Sequence, residues 1–260
     1  MVESIWRKGK LLGFMLLASF LLMAKPALAD SYYPYEIQRY DVTVKVGKDN
    51  VYHVTERLQV NFNQARHGIY RDIPVINNVS REDGSTSSIQ ARVTNIKTYG
   101  EKKTVGREGS YCRIQLGDKN KTLVGEHMYH ISYDYNMGKD VRKGEDEFYY
   151  NIIGTSWDTT IQNVTFHIMM PEDIDESKVG MAYGESGSTN NEGLQYTING
   201  KVMEGYVDPS IILNPGEAVT VRMVLPDGYY DQVKQRIWPA LISILLSLAA
   251  ADAAFLLWWK

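Results

Sequence analysis

The sequence predicts an all-β protein: an antiparallel β-sandwich ectodomain that follows an N-terminal signal peptide and precedes one C-terminal transmembrane helix. Three observations support this fold class. Hydrophobic and polar residues alternate with a period of two through most of the middle of the chain, which is typical of half-buried strands. Helical periodicity is weak in the same region, and long apolar runs are confined to the two ends. Many short alternating segments separated by polar turns favour a sandwich.

The first 29 residues have the three parts of a secretory signal peptide. A cationic start precedes the apolar run 11–24, and Ala27-Leu28-Ala29 then matches the small-x-small cleavage pattern before Asp30. As a helix, the apolar run would rise about 21 Å, which is short of the roughly 30 Å hydrocarbon core of a bilayer. We therefore expect cleavage after residue 29 rather than an uncleaved membrane anchor.

Residues 237–259 form the second apolar segment, and this one is long enough to span a bilayer as a helix. Trp238 lies at one end and Trp258-Trp259 at the other, where interfacial anchors are expected. Asp252 lies within the segment, where a carboxylate is costly. We favour the interpretation that it protonates or reaches the interface. The alternative is a helix–helix contact beside the neighbouring alanines.

The region between these ends, residues 30–227, is predicted to be one extracytoplasmic domain, joined to the anchor by a connector at 228–236. We expect roughly ten strands, a hairpin turn at Asn199-Gly200 and flexible polar loops at 80–88 and 180–193. The clearest strands are expected at 36–46, 52–62, 123–135, 164–170 and 219–225, with weaker candidates at 89–99, 111–116 and 147–153.

Composition and spacing exclude several chemistries. A net charge of −3 leaves no basic excess for nucleic-acid binding. A single cysteine, Cys112, excludes an intrachain disulfide and any Cys-based zinc or iron–sulfur cluster. His127 and His130 are three residues apart, so on a strand they face opposite ways. Nucleophile-elbow, Walker and dinucleotide motifs are absent from the sequence. We therefore expect no metal, no cofactor and no catalytic residues.

A buried ion pair is predicted within the domain. Glu56 falls on the otherwise apolar face of its strand, and a carboxylate directed into a core requires a partner. Arg71 is the nearest plausible donor in the sequence, and its planar guanidinium suits a bidentate pair. We therefore predict a structural Glu56–Arg71 ion pair.

The polar segment around Arg71 permits a second interpretation. His67, Tyr70, Arg71 and Asp72 follow one another closely, and together they would form a recognition surface. Trp157 is the one tryptophan of the exported region, and we interpret it as a core or corner anchor rather than as a platform for a ligand.

The same segments carry a family resemblance. VTERLQVNF, followed by HGIYRDIP and by EFYYNIIGTSWDTTIQNVTFHIMMP, is similar to domain of unknown function 2207, the YciQ-like bacterial predicted membrane proteins, over most of 35–226. The resemblance implies a signal peptide, an extracytoplasmic β-rich domain and one or more membrane helices, often followed by a low-complexity cytoplasmic tail. It implies no catalytic residues. This sequence differs in ending at Lys260, directly after the first expected span, and in carrying Asp252 within that span.

These observations favour a non-enzymatic, single-pass module on the extracytoplasmic face of the bacterial cell membrane. Its expected partner is an envelope protein or a cell-wall glycan. One alternative is an envelope glycan hydrolase, which would need a cleft with two carboxylates about 5–9.5 Å apart. Another is a passive subunit of a membrane complex that contacts its partners through the transmembrane helix.

Overall fold

The computed structural model describes residues 33–80, 84, 86–140, 144–233, 243, 246 and 247. The predicted signal peptide lies outside the described residues. So does the predicted transmembrane segment with Asp252, apart from three positions with helical backbone. Within the described part of the chain, no helix is both long and apolar enough to cross a membrane.

Most of the described residues form strands, so the all-β class is confirmed. A short 3₁₀ turn lies at Glu176–Lys178. The strands are β1 (Tyr35–Val46), β2 (Val51–Arg66), β3 (Gly68–Pro74), β4 (Ile76–Ser80), β5 (Thr86–Gln90), β6 (Arg92–Thr98), β7 (Lys103–Glu108), β8 (Tyr111–Gly117), β9 (Leu123–Asn136), β10 (Glu145–Ile153), β11 (Val164–Met169), β12 (Val179–Gly184), β13 (Leu194–Asn199), β14 (Val202–Val207) and β15 (Ala218–Pro226).

The strands are arranged in one large sheet and three small ones. The large sheet has the order β13-β14-β11-β1-β2-β9-β6, and the small sheets are β10-β15-β12, β3-β8-β7 and β4-β5. Among the described residues, the paired strands are antiparallel except β1 and β11, which run parallel with Tyr40 opposite Val164. The prediction of a purely antiparallel sandwich is wrong for this pair of strands. Alternation along a strand reports which face is buried, and it does not report the direction of the neighbouring strand.

One face of the seven-stranded sheet is covered by the two three-stranded sheets. The ring of Tyr52 on β2 lies 5.1 Å from that of Phe148 and 5.7 Å from that of Tyr150, both on β10. Glu56 on β2 is bonded to Arg71 on β3. Two layers therefore share one core, and the opposite face of the large sheet carries half-exposed and exposed polar side chains on β1 and β2.

Most of the predicted strands are confirmed. The five clear candidates correspond to β1, β2, β9, β11 and β15, and the three weaker ones overlap β6, β8 and β10. Asn199-Gly200 lies at the turn between β13 and β14, where Gly200 has the positive φ of 57° that such a turn requires.

Two loop predictions need correction. The expected flexible loop at 180–193 is wrong over 180–184, because this stretch belongs to β12 and pairs with β15. The glycines at both ends of 180–184 hid the alternation, and pairing with a strongly apolar strand supplies the stabilisation instead. The expected loop at 80–88 is also shorter than predicted, because Thr86–Gln90 forms a hairpin with Ile76–Ser80.

Candidate functional site

The predicted ion pair between Glu56 and Arg71 is confirmed, and it is bidentate. On β3, Ile69, Arg71 and Ile73 alternate toward the core. Arg71 Nε donates to Glu56 Oε2 at 2.8 Å, and Nη2 donates to Oε1 at 2.8 Å. The side chains of Arg71 and Glu56 are 2% and 0% exposed. The pair therefore joins the large sheet to the β3-β8-β7 sheet inside the core.

Two tyrosines complete the bonding of this carboxylate. Tyr40 donates its hydroxyl to Glu56 Oε2 at 2.7 Å, and Tyr133 donates to Oε1 at 2.6 Å. The hydroxyl oxygens of Tyr133 and Tyr150 lie 2.9 Å apart. Both carboxylate oxygens are thus bonded from more than one side, which offsets the cost of removing two charges from water.

The electrostatics of the cluster keep Glu56 ionised. Burial alone raises the pKa of the carboxyl, but the charge of Arg71 and the hydrogen bonds from Arg71 and the two tyrosines outweigh it and lower the pKa below its ordinary value. Burial raises the pKa of Tyr40 and Tyr133 well above the usual range. At neutral pH the cluster is therefore one ion pair surrounded by neutral hydroxyls.

This lowered pKa gives an expected acid dependence of stability. A carboxyl whose pKa is lowered by folding stabilises the protein above its unfolded pKa, near 4.5 for Glu56, and loses that contribution as the pH falls through the folded value. The difference in unfolding free energy between the native protein and Glu56→Gln should therefore be constant above about pH 4.5 and shrink below it. Urea unfolding at a series of pH values measures it. A difference that stayed constant to the acid limit of folding would contradict this prediction.

Trp157 lies against the same cluster. Its ring meets the ring of Tyr40 edge-on at 5.7 Å, and the guanidinium of Arg71 lies 5.7 Å from it. The side chain is 3% exposed. The location agrees with the expected core anchor, and burial leaves no face for a ligand.

The four residues of the predicted recognition surface lie in two different environments. Tyr70 and Asp72 point away from the core, and Arg113 on β8 bonds both oxygens of Asp72 at 2.8 and 2.7 Å. His67 Nδ1 lies 2.8 Å from the carbonyl oxygen of Lys121. The prediction of one surface made by all four residues is wrong for Arg71, because the period of two along β3 directs it inward.

A groove that the sequence analysis missed lies on the open face of the large sheet. Its volume is about 530 Å³, and its floor is the backbone of β1, β11, β14 and β13. Cross-strand register places its outward side chains in two rows. The first row is Asp41, Thr165, Tyr206 and Gln195, and the second row is Thr43, His167, Glu204 and Thr197.

Hydrogen bonds along the first row fix the direction of its side chains. Thr165 Oγ1 donates to Asp41 Oδ1 at 2.5 Å, and the Tyr206 hydroxyl donates to Gln195 Oε1 at 2.6 Å. Arg39 Nε adds a bond to Asp41 Oδ2 at 2.9 Å. In this way the row presents a carboxylate, hydroxyls, an amide and an aromatic ring in set positions.

The second row is held more loosely. His167 Nδ1 lies 3.1 Å from Glu204 Oε1; the Glu204 side chain is largely exposed and that of His167 is partly exposed. Beneath the floor, a Cβ atom on Gly205 would lie 2.2 Å from the ring of Phe166. The glycine therefore lets the Phe166 ring pack directly under the groove.

Metal binding finds no support in the described part of the chain. No group of three or more potential ligands lies together among these residues. His127 is bonded to Glu101 at 2.7 Å, while His130 stacks on Tyr99 with 4.1 Å between ring centres. The two histidines thus lie on opposite faces of β9.

Residues 36–225 match the N-terminal domain of DUF2207, a family of predicted membrane proteins. The chain belongs to this family. No curated protein matches it. Membership of this family indicates an association with a membrane, and it does not indicate a biochemical activity.

Solved structures offer weak likenesses to this DUF2207 domain. An M1 zinc metallopeptidase from Deinococcus radiodurans has 9% identity and a TM-score of 0.38, covering 72% of this chain and 42% of the other. Native yeast LTA4 hydrolase has 7% identity and a TM-score of 0.40, covering 78% of this chain and 32% of the other. The chain thus spans less than half the length of either enzyme, and these likenesses support no statement about its activity.

Proposed function

We propose that this DUF2207 domain is a non-enzymatic binding module of the bacterial cell envelope. Residues 237–259 anchor it in the membrane, the domain lies on the extracytoplasmic side, and its ligand is a cell-wall glycan bound in the groove. The observation that carries the proposal is the pair of polar rows around the half-exposed ring of Tyr206.

The chemistry of the rows suits a polyhydroxylated ligand. Sugar hydroxyls both donate and accept hydrogen bonds, and the groove offers carboxylate acceptors, hydroxyls and an amide that do the same. Tyr206 is 41% exposed, so its ring provides an apolar surface beside its polar tip, which is suited to stacking on a sugar ring. Polar groups in fixed positions around one aromatic ring provide orientation and specificity.

The dimensions of the groove favour an extended ligand. Neighbouring strands lie about 4.8 Å apart, so a row that crosses four strands is about 14 Å long. The two rows are two residues apart along each strand, which is about 7 Å. A space of this shape accommodates a short linear oligosaccharide along the rows better than a compact molecule.

The character of the groove favours a glycan over a protein partner. The buried centre of a protein interface is depleted of charged residues and enriched in large apolar ones. Asp41, His167 and Glu204 instead place carboxylate and imidazole groups along the lining of the groove. A hydrolase would need two carboxylates positioned for catalysis; in the groove Asp41 is bonded to Arg39 and Thr165, and Glu204 to His167.

Binding of the full chain in detergent to isolated peptidoglycan, and to soluble fragments of it, tests the proposal. We expect Tyr206→Ala to weaken binding roughly tenfold, because it removes a stacking surface and a hydrogen-bonding hydroxyl together worth about 1.4 kcal/mol. Retention on the polymer and calorimetry with the fragments measure this.

Tyr70→Ala is the matched control, since Tyr70 is similarly exposed but lies on β3, away from the groove. It should bind as tightly as the native protein. Equal weakening by both substitutions, or no binding by the native chain, would refute glycan binding in the groove. Release of soluble sugars from the polymer would instead support the hydrolase.

A further inference from the structure

The chain is fastened to the domain where it leaves the last strand. Lys48, in the turn between β1 and β2, forms an ion pair with Glu172. Its Nζ also donates to the carbonyl oxygen of Tyr229 at 3.0 Å and lies 4.2 Å from the centre of the Tyr229 ring. We call Lys48, Glu172 and Tyr229 the exit clamp.

Further bonds extend the exit clamp in both directions. The Tyr229 hydroxyl accepts from the backbone N–H of Glu172 at 3.2 Å, and the backbone N–H of Gln232 donates to the Lys48 carbonyl at 3.2 Å. The backbone N–H of Tyr230 donates to Asp146 at 3.0 Å. Tyr229 and Tyr230 are buried. Residues 229–232 are therefore part of the folded domain, although they fall in the segment expected to be a connector.

Three strands end near the place where the chain leaves the domain. β1 and β11 are parallel, and both end beside the exit clamp, as does β15. Val233 packs against the core, and only residues 234–236 separate it from the predicted membrane segment. Thr43 in the groove lies three residues before the end of β1 at Val46, which is about 10 Å along the strand.

Exposed charges of both signs lie at this end of the domain. Among the described residues near the exit clamp, the exposed carboxylates are Glu172, Asp173, Asp175, Glu176, Asp227 and Asp231, and the exposed cations include Lys139, Lys178 and Lys201. Lys201 Nζ donates to the carbonyl oxygen of Pro171 at 2.8 Å, and Lys234 and Arg236 follow in the sequence. The exit clamp, rather than the charge of this end, therefore determines how the chain leaves the domain.

We propose that the exit clamp holds the domain end-on to its membrane anchor, with the strands steep to the bilayer and the groove at a fixed height above the lipid surface. The inference rests on the membrane anchor of the proposed function but not on the identity of the ligand. Its partner is the lipid surface, and its effect is to present the groove to polymer at one distance from the membrane.

Energy transfer from the protein to labelled lipid tests this arrangement. The full chain carries Cys112→Ser and one new thiol for a donor dye, introduced by Asp173→Cys near the exit clamp, Thr197→Cys in the groove or Asn120→Cys at the far end. It is reconstituted into phosphatidylcholine–phosphatidylglycerol vesicles that contain a rhodamine-labelled lipid. We expect transfer to be highest at position 173, intermediate at 197 and lowest at 120.

Two variants separate the exit clamp from the anchor. Lys48→Met removes the cation, and a Gly-Ser insertion after Val233 adds a flexible tether and leaves the folded domain unchanged. Both should reduce the difference in transfer between positions 173 and 120, whereas Lys45→Met, on the open face of the large sheet, should preserve it. Equal transfer from all three positions in the native chain, or a difference that both variants leave unchanged, would overturn the end-on arrangement alone. Absence of transfer from every position would overturn the anchor as well.

Discussion

Replacing Glu56 with glutamine is expected to lower the free energy of unfolding by about 3–5 kcal/mol, because it leaves the buried guanidinium of Arg71 without a counter-charge. The substitution keeps the size of the side chain, so loss of volume contributes little. It converts one acceptor oxygen to an NH₂ group, which donates and can accept neither from Arg71 nor from a tyrosine. The cost is therefore electrostatic, with an added contribution from an unsatisfied polar group.

Urea unfolding of residues 30–236 measures this effect, since that fragment contains the whole described core. Glu204→Gln is the matched control: it makes the same chemical change at a largely exposed site, where an ion pair contributes little to stability. Similar losses in the two variants would show that the Glu56–Arg71 pair does not stabilise the core in the way we infer.

Replacing Trp157 with alanine is expected to cost about 3–5 kcal/mol of unfolding free energy, the usual range for removing a buried indole. The ring fills the space between Tyr40 and Arg71, so its loss leaves a cavity beside the buried ion pair. The guanidinium would also lose a contact with the ring that helps to hold it in place. Thermal and urea unfolding of the same fragment measure the change.

Trp157→Phe should retain much of this stability, because a smaller ring still fills part of the space. Tyr99→Ala provides an aromatic control at an exposed position, and it should leave stability nearly unchanged. A small effect of Trp157→Ala, comparable to that of the surface control, would contradict the role of Trp157 as a core anchor.

The buried ion pair shows how far sequence reasoning reached. Glu56 breaks the apolar face of β2, and this one position predicted both the burial of the carboxylate and its partner, Arg71. Strand locations were predictable for the same reason, because a half-exposed strand must alternate. β7 was not predicted because all six of its residues are exposed, so no alternation is visible. β12 was not predicted because glycines interrupt its pattern.

The groove could not have been found in this way. Asp41 and Thr43 are ordinary solvent-facing residues of β1 when read along the chain. They become part of a groove because β11, β14 and β13 lie beside β1 in a register that aligns them with Thr165 and His167. Strand order and register depend on contacts between residues far apart in sequence, and no local pattern encodes them.

By itself, the sequence determined the all-β class, the main strands, the resemblance to the family and the burial of Glu56 with Arg71. These features follow from local alternation and from the cost of a charge without a partner in a core. The tertiary structure alone decided the parallel pairing of β1 with β11, the separation of Arg71 from Tyr70 and Asp72, the two rows of the groove and the exit clamp. Each of these depends on which distant segments pack together, and that is set by the burial of the whole core rather than by any one segment.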